Sequence, residues 1–200
     1  MIRFLCRHVQ IKVTPNPLCK KFIPEKSVMN EGTCDFPSAV YANISPLAQD
    51  LFNIKGISRV FYSPEYVAVT KTEFSDWEQL TPFISQIIDK YFNENIPIFT
   101  EQRDDKSNYN IDDEVESVIN EILEGRIRPY LQEDGGDMKF IEFNKETGIV
   151  MLELQGSCAG CPSAFTTLKD GIEKMLMFYI PEVKGVLERH IEDKKDKVLV

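Results

Sequence analysis

The chain has 200 residues, a hydrophobic fraction of 42 % and a charged fraction of 28 %, the composition of a globular protein with room for one ordinary domain or two small ones. Its net charge of −9 argues against nonspecific binding to nucleic acid or to an anionic membrane, both of which favour a basic surface. No apolar run approaches the ~20 residues a membrane-spanning helix requires, so neither nucleic acid nor membrane is expected as a partner.

The charge is uneven. The first half is nearly neutral and carries no acidic residue before Glu25, whereas acidic side chains outnumber basic ones from Asp112 onward. The basic, acid-free start at residues 1–9 is similar to a shortened organelle presequence, and a frayed terminus is the other reading.

An apolar-rich run at 9–14 reads as a strand, closed by a turn that Pro15 and Pro17 fix. Ser45-Pro46 has the form of a helix cap followed by proline at the first helical position. Runs at 57–62 and 66–71, broken by Ser63-Pro64, predict a hairpin. Ser75, with Glu78 three residues on, predicts a capping box. The helix it opens places Trp77, Leu80, Ile84, Ile87, Ile88 and Tyr91 on one face. A polar stretch without apolar period follows, and the expected division is 9–97, a linker at 98–111, and 112–190.

In the second half, Asp112 is placed to cap a helix whose buried stripe is Val115, Val118, Ile119 and Ile122. Pro129 is expected to end or kink it. Alternating runs at 138–143 and 149–154, joined by a five-residue loop ending in Gly148, predict an antiparallel hairpin. After Gly156-Ser157-Cys158-Ala159-Gly160-Cys161-Pro162 comes a helix with Phe165, Leu168, Ile172, Met175, Leu176 and Tyr179 on its apolar side. Pro181 stops it, and 183–187 is expected to add a short edge strand. The fold class expected is α+β: two small layered domains, each a short, mostly antiparallel sheet packed with helices.

Five cysteines at irregular spacing do not form a secreted disulfide framework; only Cys158 and Cys161 are closely spaced. Pro162 suits the first turn of a helix, which would put Cys161 near its N-terminus, where the unpaired N–H groups stabilise a thiolate. Gly156 and Gly160 remove side chains on either side of Cys158, so that backbone can close round a ligand. Two thiolates do not complete a zinc site or a common iron–sulfur cluster, each of which takes four ligands. Cys6, Cys19, Cys34, His8 and His190 offer no complementary set, so the simplest completion is the same loop from a second copy.

Three other readings apply to the pair. A Cys-x-x-Cys turn before a helix also describes a thioredoxin-like redox site, which calls for a buried parallel strand rather than half of a hairpin. A zinc site shared between two copies and an inert buried pair are the others. Elsewhere, Cys19 and Cys34 read as spare thiols and Trp77 as core. Glu133-Asp134-Gly135-Gly136-Asp137 reads as a tight turn into the hairpin, since it lacks the spacing of a calcium loop. No catalytic triad, general base or phosphate loop is evident, and no enzymatic role is expected.

The segments IRPYLQEDGGDMKF, VMLELQGSCAGCPSAFTTLKDGIEKML and FYIPEVKGV resemble the C-terminal domain of the NifU and Nfu-type iron–sulfur proteins. Thr14-Pro15-Asn16-Pro17, Asp35-Phe36-Pro37, Ser45-Pro46-Leu47-Ala48, Phe52-x-Ile54-x-Gly56-Ile57 and Trp77 resemble the Nfu N-terminal domain. Lys20 and Glu25 depart from that pattern, away from the cysteines. The resemblance implies a non-enzymatic carrier of a 4Fe–4S cluster, with 2Fe–2S as the alternative, bound by Cys158 and Cys161 of each subunit of a homodimer. It further implies upstream assembly factors as donors and apo-proteins such as lipoate synthase and respiratory enzymes as recipients. A mitochondrial location is implied, or a cytoplasmic one for a protein of bacterial type.

Overall fold

The computed structural model describes residues 9–100, 114–159 and 162–189, with the backbone alone for 162–167. Cys6, His8, Asp112, Cys161 and His190, together with most of the expected linker, lie outside the described residues. The chain divides into two compact units, Met1–Asp105 and Lys106–Val200.

The first unit is a five-stranded antiparallel sheet with two helices on one face. Strands β1 (Gln10–Val13), β2 (Cys19–Ile23), β3 (Cys34–Phe36), β4 (Ile57–Tyr62) and β5 (Val67–Lys71) lie in the order β1-β2-β5-β4-β3. The β4–β5 hairpin forms where the sequence predicts it, with Tyr62 opposite Val67. Strands β2 and β3 and the 3-10 turn Ala39–Ile44 are additions to that reading. Helix α1 (Pro46–Phe52) starts as expected: the Ser45 side chain accepts from Ala48 N, and Pro46 lies in the first turn. Helix α2 (Trp77–Asn93) starts later than a cap at Ser75 requires. Asp76 is the cap and accepts from Glu78 N, while Ser75 Oγ is hydrogen-bonded to Thr72 Oγ1 at 2.7 Å. Aspartate caps as well as serine does, and Ser75 is held by the preceding turn.

The helices bury Leu47, Ala48, Leu51, Leu80, Ile84 and Ile88 against Phe22, Phe36, Val60, Tyr62, Val67 and Val69 of the sheet. Alternation along the strands sends Cys19, Phe61 and Ala68 to the opposite face, where they form a separate cluster with Tyr66. Trp77 is only half-buried. Its Nε1 donates to Pro17 O at 3.0 Å and Lys20 Nζ lies 4.8 Å from its ring centroid, so it fastens the Pro15–Pro17 turn to the start of α2.

The second unit has three strands, β6 (Gly136–Asn144), β7 (Ile149–Gly156) and β8 (Gly185–Glu188), in the order β6-β7-β8. The β6–β7 pair is the expected antiparallel hairpin. Strand β8 runs parallel to β7. The link between them is helix α5 (Pro162–Tyr179), the crossover that parallel neighbours require. Before the sheet come α3 (Glu114–Ile122), a π turn (Leu123–Ile127) and α4 (Arg128–Glu133). Pro129 sits in the first turn of α4, where its missing N–H costs nothing. The helical path therefore wraps through the π turn instead of ending.

Among the described side chains, which do not include that of Phe165, two leave the expected stripes. Val118 is 39 % exposed and Tyr179 is 46 % exposed. The core that α3 and α5 share with the sheet is drawn instead from Ile119, Ile122, Leu123, Ile127, Ile172 and Leu176, against Met138, Phe140, Val150, Leu152 and Leu154.

Candidate metal centre

The Cys-x-x-Cys segment falls between the end of β7 and the start of α5. Gly156 closes β7 at φ 60°, a backbone angle that side chains other than glycine adopt only with strain. The chain then turns back against the α4–β6 junction. Ser157 N donates to Gly135 O at 3.1 Å, and Ser157 Oγ donates to Asp134 O at 2.6 Å. Cys158 N donates to Gln155 O at 3.3 Å. Three hydrogen bonds thus tie two successive residues to the α4–β6 turn and to the end of β7.

The outcome for Cys158 is burial. It is 4 % exposed and belongs to the hydrophobic cluster beneath α5. The residue that makes room for it is Gly136, at the start of β6. A Cβ at position 136 would collide with the Cys158 sulfur, and would lie 2.7 Å from Gln155 O and 2.9 Å from Cys158 N. Real Cβ atoms do not approach backbone so closely.

The junction is itself clamped. Arg128 Nε donates to Asp137 Oδ1 at 2.9 Å, Arg128 Nη2 donates to Met138 O at 2.9 Å, and Asp137 Oδ1 also accepts from Met138 N at 2.7 Å. Asp137 is 2 % exposed, so its charge is compatible with burial only because these donors face it. The Glu-Asp-Gly-Gly-Asp stretch is the turn from α4 into β6, with Gly135 at φ 88°. It also forms the wall behind Cys158, a role that sequence spacing does not reveal. The doubled glycine was the available signal: Gly135 serves the turn, which leaves Gly136 without a conformational reason to be glycine.

Cys161 lies outside the described residues, and α5 begins at the residue after it. Among the described residues no three His, Cys, Asp or Glu side chains gather into a metal-binding set. Cys19 and Cys34 are buried in β2 and β3 of the first unit. Burial pushes the Cys19 thiol up to about 11, so it remains protonated at neutral pH and is a poor metal ligand.

Comparison with known proteins fits this division. Residues 9–95 match the family description "Scaffold protein Nfu/NifU N terminal", and residues 119–187 match "NifU-like domain". The Homo sapiens protein named NFU1 iron-sulfur cluster scaffold homolog, mitochondrial, is 47 % identical over 191 residues, a stretch covering 94 % of this chain and 74 % of that protein. The chain belongs to the NFU1/NifU-like family. Arabidopsis thaliana NifU-like protein 5, mitochondrial, is 44 % identical over 89 % of the chain and 66 % of its own length. The chain thus spans roughly two thirds to three quarters of the lengths of these two relatives. The family members named are mitochondrial, and so is this protein. A solution structure of a NifU-like protein from Saccharomyces cerevisiae overlaps 51 % of the chain and 92 % of its own, with 17 % identity and a TM-score of 0.42.

Proposed function

We propose that this protein is a non-enzymatic carrier of iron–sulfur clusters. Cys158 and Cys161 of one chain supply two sulfurs and the same pair from a second copy supplies two more, to hold a 4Fe–4S cluster and hand it to recipient apo-proteins. The cluster is cargo. The relatives' names and both family matches support an iron–sulfur scaffold role. The observation that carries the ligand assignment is the position of Cys158. It sits on a turn lined by Gly136 and Gly156, between the end of β7 and the helix that begins at Pro162.

Sulfur number supplies the rest. Common clusters are held by four thiolates, one chain offers two at this turn, and a two-fold pair of turns completes the set. A site split between chains opens when the chains part, and thiolates of a recipient replace those of the carrier on iron one at a time. The protein's own residues need only to hold the sulfurs, exclude water behind Cys158 and let go. Nothing in that sequence of events calls for a general base.

The test is anaerobic reconstitution of the full chain with iron and sulfide, followed by measurement of iron and sulfide content and of molecular mass. Bound cluster in a dimer is expected, with cluster content collapsing in Cys158→Ser and in Cys161→Ser. A cluster retained in full by Cys161→Ser, or a loaded species that is a single chain with no added thiol, would overturn the assignment. A colourless monomer that reduces disulfides would support an oxidoreductase instead.

A further inference from the structure

Glycine at position 136 is not demanded by the backbone. Gly32, Gly56, Gly135, Gly148 and Gly156 have positive φ and Gly136 does not; it is an ordinary strand residue paired with Gly156 across β6–β7. Its lack of a side chain is explained by space alone, and the atoms that fill the space are the sulfur and amide nitrogen of Cys158 and the carbonyl oxygen of Gln155. Behind Gly136 stands Asp137, held by Arg128 of α4. In front of it, Ser157 is tied at N and Oγ to Gly135 O and Asp134 O. The sulfur is therefore enclosed on one side by a strand with no side chain and on the other by a tethered turn, and Cys158 is 4 % exposed in consequence.

The geometry points to Gly136 as a positioning residue: its missing side chain forms a slot that holds the Cys158 sulfur away from solvent, and a ligand shared with a second copy reaches that sulfur only when the 156–158 turn lifts. The ligand role of Cys158 rests on the function proposed above; the slot does not. The consequence is a site that protects one of its sulfurs from alkylation and oxidation until the turn opens. Local opening of a single tethered turn is a small event beside unfolding of the unit.

The experiment is a time course of iodoacetamide alkylation on the full, reduced, metal-free chain, read cysteine by cysteine by peptide mass spectrometry, in buffer and in urea. Cys158 is expected to react roughly tenfold or more slowly in buffer than in urea, as buried sites do when reaction waits on opening. Cys19 and Cys34, buried in the first unit, serve as protected references. In Gly136→Ala the added carbon displaces the sulfur and the 155–158 backbone together, and Cys158 is expected to lose its protection while Cys19 and Cys34 keep theirs. Circular dichroism establishes whether that variant keeps its second unit. If it does not, Ser157→Ala removes the 2.6 Å tether without filling the slot, and is expected to speed alkylation of Cys158 severalfold.

Reaction of wild-type Cys158 in buffer at its urea rate overturns the proposal, and so does a folded variant that leaves the rate unchanged. A protected Cys158 in a chain that takes up no cluster would leave the slot standing and sink the carrier reading. A chain that binds cluster through Cys158 yet alkylates at the unfolded rate would do the reverse.

Discussion

Arg128 and Asp137 face each other across the turn that joins α4 to β6, with Nε 2.9 Å from Oδ1, and the two side chains differ in burial: 31 % exposed for the arginine and 3 % for the aspartate. The asymmetry decides what each deletion does. Arg128→Ala leaves a buried carboxylate without its main counter-charge, and is expected to destabilise the second unit by about 3 kcal/mol. In Asp137→Ala the surviving guanidinium still has water and the Glu124 carboxylate, 2.6 Å away, so a loss of about 1–2 kcal/mol is expected. Urea denaturation of both variants gives the order directly; a larger effect from the aspartate would show that the pair is not what holds the turn.

A second expectation concerns Ser45, whose hydroxyl is fully buried at the meeting point of three elements. Its Oγ accepts from Ala48 N at 3.1 Å, lies 3.0 Å from Tyr62 Oη, and donates to Ile98 O at 2.6 Å. Ser45→Ala removes a helix cap and strips a partner from the half-buried Ile98 carbonyl and from the buried Tyr62 phenol. Each such loss is worth about 1 kcal/mol or more. The first unit should lose roughly 2–3 kcal/mol while the thermal transition of the second is unmoved. Equal shifts in both transitions would mean that the units do not unfold separately.

Cys19 makes the stability of the first unit depend on alkaline pH. Desolvation by burial raises its thiol from an ordinary 9.0 to about 11, against smaller opposing effects from the Thr70 and Thr14 hydroxyls and from Lys21 and Arg59. Between those values the unfolded chain has shed the proton and the native chain retains it. The unfolded state then binds fewer protons, and stability falls as pH rises. The contribution is complete below pH 9 and is lost by about pH 11. A two-unit separation corresponds to roughly 3 kcal/mol. Denaturation curves of wild type and Cys19→Ala should therefore converge over that window, since Tyr62, also raised by burial, is common to both proteins. Parallel curves would show that the thiol is hydrated in the native state.

The parts of this fold legible in the sequence are those where local chemistry and tertiary demand agree. Ser45-Pro46 starts a helix by its own chemistry, and the β4–β5 and β6–β7 hairpins alternate visibly. Strand β2 escaped because its pattern is disguised by Lys20 and Lys21. Both lysines set their ammonium groups over aromatic rings, Lys20 Nζ lying 4.8 Å from the Trp77 centroid and Lys21 Nζ 4.7 Å from that of Tyr66. A polar name hid a buried strand. Strand β3 has three residues, too few for any period to register. At the candidate centre, the spacing of Cys158 and Cys161 was plain, whereas the wall behind Cys158 was not. Gly136 reaches it only through the register of β6 on β7, a long-range fact that no local window contains.

The last expectation follows from where the two hydrophobic cores lie. The first is closed by α1 and α2 over its own sheet and the second by α3, α4 and α5 over its own, each from residues of one chain. Each core is closed by its own helices, and the proposed dimer is held together by its shared cargo. Stripping iron from the loaded protein with a chelator should halve the measured mass while leaving far-UV circular dichroism within experimental scatter of the loaded form. Reloading with iron and sulfide should restore the larger species, in proportion to cluster content. A dimer that survives complete removal of iron would place the interface elsewhere on the surface and break the link between opening and release; loss of secondary structure on stripping would mean that the cluster is part of the fold and not a passenger.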